Sequence, residues 1–175
     1  MDESRTPSKR LLVCAVVDCL ALAIWVGGLI VIIGAVIPAV FNSFGMEPGG
    51  RFLTRVFDGY NRLVLVAMAA MGGTIAVRGW MLQAGEQPGI MPGRAETILF
   101  GTMALMASLI IFVLGPQSVA LQEVAFETRE ESAHKAALDA FFRVHMIVRG
   151  LYIVNLVLGI GLLTVKLKSF LKKAA

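Results

Sequence analysis

Charge is scarce in this sequence: only 16% of its 175 residues are Asp, Glu, Lys or Arg, and histidine occurs twice. The 16 Lys and Arg lie scattered in short linkers and termini, and no basic stripe marks a soluble helix. Nucleic-acid binding is therefore not expected. Cysteine is equally sparse. Cys14 and Cys19 fall in one apolar run, five positions apart, so on a helix they diverge by about 140°. Neither an intrachain bridge nor a Cys-x-x-Cys redox pair follows, and both read as small packing residues. A Walker loop, a dinucleotide fingerprint, a nucleophile elbow and an HExxH motif are all missing. Glu130 and Glu131 stand on a polar helical stretch and read as a solvated face. No catalytic site is legible, and a non-enzymatic protein without a cofactor is expected.

What the chain has is apolar length. Apolar residues make up 57% and the mean hydropathy is +0.78, against about 45–50% apolar in a soluble domain. Four runs, about 11–40, 63–82, 98–114 and 141–165, suffice to cross roughly 30 Å of hydrocarbon as helices. The first is too long for a signal-peptide core of roughly 7–15 residues, so it reads as a retained anchor. Arg51 to Arg62 carries Phe52, Val56, Tyr60 and Leu63 at helical spacing and reads as an interfacial helix. The linker 84–94 holds two prolines and three glycines, which must stop a helix. Residues 117–140, rich in Ala, Glu and Gln, suit a helical extension after the third segment. The fold expected is all-α: a polytopic four-transmembrane-helix bundle (11–165) between an N-terminal tail (1–10) and a basic tail (166–175).

An even number of crossings puts both termini and the middle linker on one side. That side carries nine Lys and Arg (Arg5, Lys9, Arg10, Arg78, Arg94, Lys166, Lys168, Lys172, Lys173). The other carries seven (Arg51, Arg55, Arg62, Arg129, Lys135, Arg143, Arg149). The positive-inside rule then favours cytoplasmic termini, in a bacterial inner membrane. Helices in lipid associate through close packing of small residues. Ala15, Cys19, Ala23, Gly27, Ala35 and Ala39 form such a ladder in the first segment. Gly72, Gly73 and Ala76 in the second and Gly101, Ala104 and Ser108 in the third are expected to act alike, and Gly159 and Gly161 in the fourth either do the same or bend it. Besides the lipid bilayer, a homo-oligomer or a partner membrane subunit is the expected association.

Ionisable groups at membrane depth cost at least ~2.5 kcal/mol on insertion scales and need a partner, water or a task. Asp18 lies about two turns inside the first segment, and Arg78 lies at matching depth in the second. An intramembrane ion pair is expected, as a structural clamp or as a proton or cation site. A second polar group gathers toward the other end. His145, Arg149 and Tyr152 share a helical face, with Asn155 following. Trp25, Asn61, Arg62 and Gln117 stand at similar depth. Together these eight form a polar pocket or a hydrogen-bonded helix junction. Bis-histidine haem needs two suitably placed imidazoles, and the second histidine, His134, is in the polar extension. Met68 and Met71, and Met103 and Met106, are spaced by three and invite a copper(I) reading, although methionine is also a common filler of apolar surfaces.

Several short motifs then carry a resemblance. They are Trp25 to Gly28 (WVGG), Pro38 to Phe41 (PAVF), Phe52 to Tyr60 (FLTRVFDGY), Gly115 to Ser118 (GPQS), Arg129 to Glu131 (REE) and Phe142 to His145 (FRVH). In this order and spacing, from about residue 15 to 165, the chain resembles the transmembrane protein 205-like family. That resemblance implies a four-helix membrane domain without an established reaction, whose eukaryotic members are linked to tolerance of platinum drugs. The family pattern sets Ser and Asn three and seven residues after the histidine. Here Val148 and Tyr152 stand there, and Asn appears at 155. A more distant likeness, to the membrane domain of copper-resistance proteins, rests on the WVGG stretch. From the sequence as a whole, the function expected is that of a small transporter-like module or an accessory subunit. A redox or metal-handling subunit and a structural scaffold are the alternatives.

Overall fold

The computed structural model describes residues 9–85, 93–128 and 130–174. It consists of four long helices, α1 (Lys9–Phe44), α2 (Met46–Gln83), α3 (Arg94–Glu127) and α4 (Glu131–Ala174), with no strand among the described residues. The first ten residues, most of the Pro/Gly-rich linker at 84–94, and Arg129 lie largely or wholly outside the described residues.

All four helices are long and apolar enough to cross a membrane. The protein is a polytopic four-helix bundle. At 34 to 44 residues each they reach about 50–65 Å, well beyond a hydrocarbon layer of about 30 Å. The surplus length accommodates the two helical stretches expected beside the apolar segments. The stretch read as an interfacial helix leading into the second segment, Arg51 to Arg62, is the first part of α2, and its charges (Arg51, Arg55, Asp58, Arg62) line the exposed face. The extension at 117–140 is the end of α3 and the start of α4, with a turn between Glu127 and Glu131.

Burial recurs at alternating steps of three and four, the period of a left-handed coiled-coil seam. The seam includes Cys14, Asp18, Ala21, Trp25, Leu29 and Ile32 in α1, and Val64, Ala67, Met71 and Thr74 in α2. It continues with Met103, Ala107 and Ile110 in α3, and Asn155, Gly159, Leu162 and Lys166 in α4. Large side chains therefore make most of the contact, contrary to the small-residue ladders expected. Ala23, Ala35, Ala39 and Ala76 are exposed. A Cβ added at Gly27, Gly72, Gly73, Gly101 or Gly161 would meet nothing within 4 Å. Gly159 is the exception: its Cβ would fall 2.6 Å from Val26 Cγ2 and 3.2 Å from Met103 Cε, so α1, α3 and α4 converge there. Large apolar side chains such as Leu20, Val66, Ile98, Leu105, Phe112 and Val157 face outward, as they must where lipid is the solvent.

Three wide π turns interrupt the helices, at Ala23–Gly27, Ile32–Val36 and Ile110–Leu114. The second precedes Pro38 and the third precedes Pro116. A proline ring clashes with the carbonyl four residues back, here at Gly34 and Phe112, and the wide turns sit where that clash must be relieved. The helix thus runs through Pro38 to Phe44 and through Pro116 to Glu127 and does not end at either. At Gly115 the amide donates to the Ile110 carbonyl. A Cβ there would sit 2.8 Å from that oxygen, so the third wide turn favours glycine at its close.

Candidate functional site

At the end of the bundle formed by the start of α1 and the end of α2, each helix contributes one charged side chain to a closed ring. Arg78 on α2 donates through Nη2 to Asp18 Oδ2 on α1 and through Nη1 to Glu96 Oε1 on α3, at 3.4 Å. Lys166 on α4 closes the ring from the other side. Its Nζ lies 2.7 Å from Asp18 Oδ2 and 2.5 Å from Glu96 Oε1. Thr74, one turn before Arg78, donates its hydroxyl to Asp18 Oδ1. Both carboxylates therefore touch both cations. The side chains are almost wholly withdrawn from solvent: Asp18 is 2% exposed, Lys166 5%, Glu96 9% and Arg78 13%. Two positive and two negative charges sum to zero, which is how such groups are tolerated at this burial.

Arg78 stands against Asp18, as matching depth suggested. Sequence reasoning missed Glu96 and Lys166. Lys166 was assigned to the basic tail, yet it turns inward, because it occupies the next seam position after Leu162. The signal was available in the 155, 159, 162, 166 spacing on α4 and in 96, 103, 107, 110 on α3.

The eight-residue pocket is divided. Trp25, Asn61, Tyr152 and Asn155 come together, joined by Tyr60, around a small gap about the size of one water molecule. Val64, Ala107, Ile110 and Ile111 complete the wall. Tyr60 donates to the Trp25 carbonyl at 2.8 Å, and Tyr152 donates to Asn61 Oδ1 at 2.9 Å. Asn155 donates its amide to the Met103 carbonyl at 3.2 Å, while its Oδ1 is buried without a partner. Two of the wide turns supply this wall, through Trp25 and through Ile110 and Ile111. Such turns are frequent at functional sites.

His145, Arg149, Arg62 and Gln117 do not join the gap; all four are exposed. Arg62 pairs with Asp58 on its own helix at 2.9 Å, and His145 lies beside the Phe141 ring at 5.3 Å between centroids. The physical reason is the seam. Val144 and Val148 are the more buried positions of α4 at that level, and they push His145 and Arg149 off the contact line. His134 and His145 stand eleven positions apart on one helix, about 16 Å, so they cannot ligate one iron. Met103 and Met71 are buried in the apolar core.

A family model for a domain of unknown function (DUF4149) matches residues 20–127, well over half of the sequence. The chain belongs to the DUF4149 family. No curated protein and no solved structure matches it, and neither the transmembrane protein 205-like resemblance nor the copper-resistance likeness gains support from these comparisons. The DUF4149 match covers Arg78, Glu96, Trp25 and Asn61 and stops before α4. Asp18 lies just before the matched stretch, and Lys166, Tyr152 and Asn155, which complete the ring and the gap, come from the helix beyond it.

Proposed function

We propose that this DUF4149 protein is a small, non-enzymatic, transporter-like module of a bacterial inner membrane, with both termini cytoplasmic and the ring of four charges as its gate. The observation that supports this is the closure of the ring across all four helices at one end of the bundle. A neutral, fully paired ring holds the four helices together. Adding a proton to Asp18 or Glu96 leaves one cation without a full partner in a poorly solvated place, which favours separation of the helices there.

Reconstitution into liposomes under an imposed pH gradient tests the reading. The wild type is expected to pass protons, sodium or potassium above empty liposomes, and Asp18→Asn to change that rate. Wild-type vesicles as tight as empty ones defeat the gate.

A second reading, an accessory subunit of a larger membrane complex, draws on the outward faces of α1, α2 and α3. Gly27, Gly73 and Gly101 have open space beside them, and small residues facing outward admit close approach by another helix. Native mass spectrometry from gentle detergent separates the two, since a fixed partner at constant ratio supports the subunit.

A further inference from the structure

The orphaned oxygen of Asn155 points to a ligand. Asn155 is 3% exposed, and its orientation follows from its partner, because the Met103 carbonyl can only accept. The amide nitrogen must therefore face Met103, and Oδ1 faces elsewhere, buried and without a donor. Buried acceptors without partners are rare in native proteins, and a water or another ligand is a common explanation. Asn155 lines the gap between Trp25, Tyr60, Asn61 and Tyr152, which has room for a water-sized molecule and little more. Within it the Tyr152 hydroxyl has given its proton to Asn61, so its oxygen is free to accept as well. None of the lining residues is charged.

We propose that this gap is a binding site for one water-sized hydrogen-bond donor, held by the Asn155 side-chain oxygen and the Tyr152 hydroxyl oxygen. The donor has hydrogens for both acceptors. Water and ammonium share that size and donor chemistry. Ammonium would gain in addition from the aromatic side chains that line the gap, Trp25, Tyr60 and Tyr152. The site stands apart from the gate: it needs no flux and no opening of the charged ring.

Solid-state NMR on the full chain in lipid bilayers, with magnetisation transferred from solvent protons, reads the site directly. The Asn155 side-chain amide is expected to gain signal several-fold faster than the backbone amide of Leu162, a fully buried neighbour. Adding ammonium chloride labelled with nitrogen-15 distinguishes the donors. A contact from ammonium to Asn155 assigns the site to that ion, and an unchanged contact from water assigns it to water. Ala107→Val, which fills the wall, is expected to slow the Asn155 transfer to the Leu162 rate while leaving the fold intact. Asn155→Leu, which removes the acceptor, is expected to abolish the Tyr152 hydroxyl's contact with solvent. Transfer to Asn155 no faster than to Leu162 in both solvent arms overturns the site, and so does rapid transfer that survives Ala107→Val.

Discussion

The charged ring and the uncharged gap are both polar groups held inside an apolar bundle, and they satisfy the same demand by opposite means. In the ring every member touches two partners of opposite sign, so no charge is left over. In the gap Tyr60, Tyr152 and Asn155 each donate one bond, and the oxygens of Asn155 and Tyr152 are left open to accept. A closed set of charges is rigid but sensitive, because removing one member strands the rest. A loose set of dipoles loses little when one is removed.

That contrast predicts the largest effect at Lys166. Lys166→Met leaves two buried carboxylates facing one guanidinium, and uncompensated buried charge of this kind costs about 3–5 kcal/mol. The folded fraction recovered in detergent and its thermal midpoint should fall sharply. Combining Lys166→Met with Glu96→Gln restores neutrality around the Asp18–Arg78 pair, and most of the loss should return. A double variant as unstable as the single one would show that geometry, not charge balance, holds this end together. Asn155→Leu, measured alongside, should cost far less; equal losses would erase the distinction between ring and gap.

Next in size is Gly159→Ala, near the middle of the bundle between the two polar regions. The new methyl meets Val26 at 2.6 Å and Met103 at 3.2 Å, and overpacking typically costs about 1–3 kcal/mol. Val26→Ala in the same chain should recover part of it. Thermal unfolding of the two variants checks this, and a neutral Gly159→Ala would mean the helices separate easily there.

Tyr60→Phe probes the gap itself. It removes one hydrogen bond to the Trp25 carbonyl, beside a wide turn, while keeping the ring in place. The expected loss is about 1 kcal/mol. A loss as large as that of Lys166→Met would mean that the gap is as tightly coupled as the ring.

How much of this was readable beforehand depended on where each residue sits along the seam. Asp18 was conspicuous because an acid stands inside an apolar run. Depth alone then led to Arg78. Glu96 and Lys166 were hidden by position, since they lie at the margins of their apolar segments, where charges ordinarily face water. Only the three-and-four spacing of burial turns them inward, and that seam can be chosen with assurance only once the neighbouring helices are placed. The same ambiguity misplaced His145 and Arg149: they share a helical face with Tyr152, yet Val144 and Val148 take the contact. Pro38 and Pro116 stand next to two of the wide turns, which let the helix continue past each ring. Of the small residues expected to bring helices together, Gly159 does so, while Gly27, Gly72, Gly73, Gly101 and Gly161 have open space beside them.

The smallest predicted effect tests what those outward ladders do. Gly73 and Gly101 have nothing within 4 Å, so Gly73→Ala and Gly101→Ala add a methyl into open space. Within a single chain the change removes backbone freedom from the unfolded state and favours helix, by no more than about 1 kcal/mol. Thermal midpoints should therefore stay level or rise slightly. The same methyl acts differently if another helix lies against that face, because a close backbone approach depends on the missing side chain. Association would then weaken while the individual bundle stayed folded. Mass measured in gentle detergent, set beside the thermal midpoint of the same sample, separates the outcomes. A level midpoint with unchanged mass assigns these faces to lipid, and a level midpoint with a lost partner or lost copy assigns them to an interface.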